Sequence, residues 1–175
     1  MARLIAVDLG SWSVKVAVYG GAGKVHELEG VYAERVPQDG VVSPSTHDRL
    51  AALDSLLRRV PGMSELHLAE AAWSSQRTSV RRLVLPFEDE EQVEATLPFA
   101  VEAEVPFELD EMLMAWRRGE APGEMLVALT EEDLVAQVVA GLASRGLDPR
   151  RLLVDGDVLD RRCTSETVAA AVVDV

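Results

Sequence analysis

The segment LIAVDLGSWSVKVAVYGG, residues 4–21, constrains the fold more than any other part of this chain. Leu4, Ala6 and Asp8 alternate with Ile5, Val7 and Leu9, and Val14, Val16 and Val18 recur at every second position, the period of a strand with one buried face. Gly10-Ser-Trp-Ser13 between them is short and polar, so strands over 4–8 and 14–19 must fold back on each other as a hairpin. GGAGK at 20–24 is a second turn signal, and a third strand is expected from Val25 to Ala33. The chain is therefore predicted to open on a three-stranded meander.

Beyond it the period changes. PQDGVVSPSTHDRL reads as a loop by its Pro, Gly and Ser content; Ser45, Thr46 or Asp48 can then cap a helix carrying Leu50, Leu53, Leu56, Leu57 and Val60 at helical spacing. Pro61-Gly62 ends it. ELHLAEAAW and SVRRLVLPF predict strands, the second stopping ahead of Pro86 because a residue before proline prefers extended backbone. A helix is expected from Glu88, with an acidic first turn at the positive end of its dipole and Val93, Leu97, Val101 and Val105 at steps of four. Pro98 inside it predicts a kink or a break. EMLMAWRR and GEMLVALT predict two further strands, T-E-E-D from Thr130 a capped helix ending at Gly146, RLLVDG another strand, and TVAAAVVDV the start of one more. Strands interleaved with helices give an α/β (α+β) class, and 175 residues with 48% apolar side chains suffice for one domain or two small subdomains.

Charge excludes one class of partner. Lys and Arg number 17 against 30 Asp and Glu, a net charge of -13, so nucleic acid would be repelled and is not expected to bind. A lone Cys163 provides neither a disulfide framework nor a thiolate metal cluster, in keeping with a cytoplasmic, reducing setting. The start MARLIAVDLG reaches Asp8 too soon for a signal peptide, and no run approaches the roughly 18 apolar residues of a membrane span, so membrane association is expected only through partners or a segment beyond Val175. His26, His47 and His67 fall on separate predicted elements without ligand-like spacing, and no metal site is predicted. The carboxylates Glu102, Glu104, Glu108, Asp110 and Glu111 read as a solvated helix end and loop, or as a patch for a basic segment.

The first turn admits two readings. Backbone amides of a tight Gly/Ser turn can cradle phosphate oxygens, with Asp8 positioning a hydrated magnesium, Gly10, Ser11 and Ser13 around the anion and Lys15 adding a cation. Equally, Gly10 supplies a permissive turn position while Ser11, Ser13 and Asp8 hydrogen-bond locally.

VDLGSWSVKVAV resembles the first phosphate loop of the actin, Hsp70 and sugar-kinase superfamily, a D-x-G-[ST] hairpin that opens domain I. RRLVLPFEDEEQVEATLPFAVEAEVPFELDEMLMAW, residues 81–116, followed by GEMLVALTEEDLVAQVVAGLASRGLDPRRLLVDGDVL, is similar to the PilM/GspL family. These are the actin-like protein of the type IV pilus inner-membrane platform and the cytoplasmic part of the type II secretion platform protein. The likeness consists of an L-P-F strand end, an acidic helix, a V-P-F with an acidic loop, LVAL, a helix, GLDPRRL and an aspartate, and covers most of the chain.

The resemblance implies an actin-like (ribonuclease H-like) partial domain I with an inserted small α/β subdomain. Residues 1–78 would form the opening subdomain, 79–155 the insertion, and 156–175 a return segment toward a second actin-like half that is absent. In the superfamily a nucleotide is held between two phosphate loops and an adenosine motif, the last two lying C-terminal to this sequence; AAAVVDV resembles the strand leading into the second loop. Asp8, Gly10, Ser11, Ser13 and Lys15 are accordingly expected to be a vestigial phosphate loop, with no bound cofactor and no catalytic residue, and Trp12 would crowd a phosphate. Ala100 stands where the family carries a glutamate, six residues before Pro106.

In the pilus relatives a short N-terminal peptide of a neighbouring membrane protein docks between the opening and inserted subdomains. By resemblance the groove here would be flanked by residues 76–85 and 99–109, with Phe99, Val105, Pro106, Phe107 and Leu109 as anchors. The expected function is a non-enzymatic cytoplasmic scaffold at the inner face of the bacterial inner membrane, joining an inner-membrane platform protein to the secretion or pilus assembly ATPase. Two other readings stay open: the N-terminal fragment of an ATP-binding superfamily member, and an unrelated small α/β interaction domain.

Overall fold

The computed structural model describes residues 3–22, 25–38, 43–62 and 66–155, so Cys163, the TVAAAVVDV segment and the return segment 156–175 lie outside the described residues. In chain order the elements are β1 (Arg3–Leu9), β2 (Ser13–Ala22), β3 (Val25–Arg35), α1 (Thr46–Leu57), β4 (Leu66–Trp73), β5 (Thr78–Val84), α2 (Glu90–Glu102), β6 (Met112–Arg118), β7 (Glu124–Glu131), α3 (Glu132–Ala143) and β8 (Leu152–Val154). They form two compact units, one of residues up to Gln76 together with those from Gln137 onward, the other Arg77–Ala136.

The first unit is built on the hairpin. β1 and β2 pair antiparallel with Ile5 opposite Val18, Val7 opposite Val16 and Leu9 opposite Val14, so all six side chains share one face, and all six are buried. β3 continues the meander, while β4 and β8 add in parallel on the other side, giving the order β3-β2-β1-β4-β8. Helix α1 lies against β2 and β3 through Leu50, Leu53 and Leu56. Its start is a capping box: Asp48 N donates to Ser45 Oγ at 3.2 Å, and Ser45 N donates back to Asp48 Oδ2 at 2.9 Å. Ser45 Oγ also donates to Asp48 Oδ2 at 2.6 Å, and this hydroxyl bond foremost, then the bond from the Ser45 amide, holds the Asp48 carboxyl below its ordinary range. The Arg145 guanidinium clamps the far end of the unit, Nε and Nη2 each 2.7 Å from a different oxygen of Asp54.

The second unit is a three-stranded antiparallel sheet, β5-β7-β6, with α2 on one face. Val93, Leu97 and Val101 on α2 are fully buried and meet Leu85, Met125, Val127 and Leu129. Asp89 caps the helix, accepting from Gln92 N at 3.1 Å. The expected break does not occur: α2 runs without interruption through Pro98 to Glu102. The proline costs one backbone bond, and the buried Leu97 and Val101 on either side hold the turn against the sheet.

Three further expectations change. Thr130 is not the cap of the third helix; β7 continues through it, its Oγ1 donates to Arg77 O at 3.1 Å, and α3 starts at Glu132. Val105 follows α2 in a loop instead of extending its stripe. Residues 137–155, placed with the insertion in the sequence division, fall with the first unit, where β8 pairs with β4.

Gly123 sets the tight β6–β7 turn. Its φ is +73°, and a Cβ there would lie 2.2 Å from the Leu85 carbonyl oxygen. The close approach lets Leu85 N donate to Gly123 O at 2.8 Å while Gly123 N donates to Glu88 Oε1 at 3.0 Å. Beside it the Glu124 carboxylate accepts from the amides of Glu120 at 2.8 Å and Ala121 at 3.1 Å, with Arg82 Nε 3.1 Å away. The Ala121 amide foremost, then that of Glu120 and the Arg82 charge, hold the Glu124 carboxyl below its ordinary range.

Candidate functional site

Of the five residues expected at a phosphate loop, the hairpin register brings Asp8 and Lys15 directly opposite each other. Lys15 Nζ lies 3.2 Å from Asp8 Oδ2, so the one carboxylate and the one cation of the loop engage each other. Gly10 is required by the turn, since a Cβ would sit 2.8 Å from the Ser13 carbonyl oxygen. Ser11 Oγ is 2.8 Å from Ser74 Oγ, just past the end of β4, and the Ser11 carbonyl accepts from Gln38 Nε2 at 2.8 Å. The Trp12 carbonyl accepts from Val36 N at 3.0 Å, while its indole stands at the tip of the turn, 66% exposed.

A lysine, a carboxylate and a glycine turn suit a metal-bound phosphate, yet here Lys15 and Asp8 engage each other, Ser11 Oγ bonds Ser74, and the Ser11 and Trp12 carbonyls accept from Gln38 and Val36. Ser74 and Gln38 were not singled out from the sequence. The signal for Ser74 was the parallel pairing of β4 with β1, which aligns Leu9 with Trp73 and so brings the two strand ends together. Among the described residues no group of three His, Cys, Asp or Glu side chains is arranged to hold a metal ion. No helix among the described residues is long and apolar enough to cross a membrane.

The five expected anchor residues separate into two sets. Phe99 projects from the outer side of α2 and is 73% exposed, because it sits about 200° around the helix from Leu97 and Val101. Phe107 is 37% exposed and Pro106 is exposed beside it. Val105 and Leu109 instead pack against the core of the second unit, as does Ala100. Glu102, Glu104 and Glu108, all exposed, surround the two phenylalanines in sequence.

Neither a protein-family model nor a curated protein matches the sequence. Solved structures do. The cytoplasmic domain of EpsL, an inner membrane component of the type II secretion system of Vibrio cholerae, superposes with a TM-score of 0.60 at 13% identity over 87% of this chain and 57% of that one. A chain of the PilM-PilN type IV pilus biogenesis complex superposes with a TM-score of 0.70 at 18% identity over 93% of this chain and 52% of that one. The chain has the actin-like fold of these secretion and pilus proteins. In this chain the β1–β2 turn joins two neighbouring strands of the first sheet, and the second unit is the smaller body entered after β4. The chain spans little more than half the length of either actin-like protein it matches.

Proposed function

We propose that this chain is a docking module, not an enzyme, of a type II secretion or type IV pilus inner-membrane platform. The observation that carries the reading is the presentation of Phe99 and Phe107 to solvent beside an acidic helix end, on an actin-like fold whose first turn carries a Lys15–Asp8 ion pair. Sharing a fold with EpsL and with a protein of the PilM-PilN complex supports the setting.

The partner is the N-terminal peptide of an inner-membrane platform protein. Its apolar side chains rest on Phe99, Pro106 and Phe107, while Glu102, Glu104 and Glu108 favour basic residues in it. Val105 and Leu109 hold the loop in place from the core side. β5 is an edge strand of its sheet among the described residues and offers backbone groups to an extended peptide. Through this contact the chain sits at the inner face of the membrane and relays to the cytoplasmic assembly ATPase. Fluorescence titration with a labelled N-terminal peptide of the platform protein tests the reading: saturable binding that weakens with salt is expected, and no binding at millimolar peptide contradicts it.

A further inference from the structure

The second unit has two outer surfaces of opposite character. The register of its sheet puts Val80, Arg82, Val84, Leu113, Leu126 and Arg117 on the face away from α2. Arg82 and Arg117 flank Leu126 in one row across the three strands. Val84 is 75% exposed, and Val80 and Leu113 are exposed as well. Glu124, the carboxylate in the neighbouring row, is buried and bonded to the Glu120 and Ala121 amides and to Arg82. In a chain of net charge -13 this face is apolar and cationic. On the opposite side, the outer stripe of α2 sets the exposed Phe99 between the exposed carboxylates of Glu91 and Glu102.

We propose that the second units of two copies of this chain associate head to tail, the outer face of α2 in one copy lying across the open sheet face of the next. Both halves of the complementarity are present: an acidic helix with an apolar centre, and a sheet face with an apolar centre and two arginines. Helix on sheet is the packing the unit already uses on its covered face. The two surfaces differ, so the contact is heterologous and leaves one of each free for another copy. Three strands of this length present a face of about 24 Å by roughly 15 Å. That is well below the ~800 Å² per partner of a stable complex, so the association is weak and reversible. The proposal rests on different observations from the platform reading, with which it shares Phe99 and Glu102 and not Phe107.

Sedimentation velocity of the whole chain from about 10 μM to 1 mM tests it. Average mass is expected to rise with concentration at low salt and to fall back toward the monomer at about 0.5 M salt. Glu91→Lys with Glu102→Lys, and separately Arg82→Glu with Arg117→Glu, should each weaken association at least ~10-fold. Mixing the two variants should restore association of alternating copies, because the reversed helix meets the reversed sheet and the unchanged helix of one variant meets the unchanged sheet of the other. Arg82 also touches Glu124, so Val84→Asp serves as a second sheet-face variant and should lose association equally. A chain that stays monomeric throughout, association that survives both reversals, or a mixture that stays apart would each overturn the proposal.

Discussion

Lys15 and Asp8 stand opposite each other across the first hairpin, Nζ 3.2 Å from Oδ2. The pair neutralises the loop from within, and Trp12 rises at its tip. Calorimetric titration of this chain with Mg-ATP is expected to show no binding tighter than about micromolar, and phosphate release no hydrolysis above background. A low-micromolar isotherm would restore the reading as an ATP-binding fragment.

The Arg145–Asp54 clamp makes the first unit sensitive to acid. Hydrogen bonds from Arg145 foremost, and then its charge, hold the Asp54 carboxyl below its ordinary value of 3.8. Its contribution is therefore complete above that value and is lost as pH falls through the lower folded value. Because the Asp54 side chain is 44% exposed, solvent screening limits the effect to about 1 kcal/mol or less. Asp54→Asn should lower the denaturant midpoint at pH 7, and its gap from the unmodified chain should close as pH falls below 3.8 and through the lower folded value. A gap of the same size at pH 7 and in acid would assign the loss to packing instead.

Gly123→Ala should destabilise the second unit by about 2 kcal/mol or more, since it combines a positive φ with a Cβ 2.2 Å from the Leu85 carbonyl oxygen. Thermal melts followed by the fluorescence of Trp116, which packs against the second core, would report it. An unchanged melt would mean that the β6–β7 turn can relax without loss.

Period-two and period-four patterns made the strands and α1 legible in the sequence, because each buries one face: Ile5, Val7 and Leu9 on β1, Leu50, Leu53 and Leu56 on α1. The cap was legible only as a choice among Ser45, Thr46 and Asp48; the structure makes Ser45 the cap and Asp48 its capping-box partner. Pro98 suggested a break because its penalty is local, while the buried Leu97 and Val101 that keep α2 continuous act through tertiary packing. Thr130 misled because T-E-E-D fits a cap, whereas pairing with β5 and β6 carries β7 to Glu131. Phe99 and Val105 both looked like parts of one apolar ridge. Only the helix phase and the course of the loop separate the exposed Phe99 from the inward Val105.

The account's central claim is that this chain works by presenting apolar anchors on the second unit and not by using the Asp8 loop for chemistry. Titration of the platform peptide against Phe107→Glu and Asp8→Ala, side by side, tests it most directly. The account predicts an affinity loss of about tenfold or more for Phe107→Glu and less than about twofold for Asp8→Ala, with both variants folded by circular dichroism. The reverse order, with Asp8→Ala the damaging change, would contradict it.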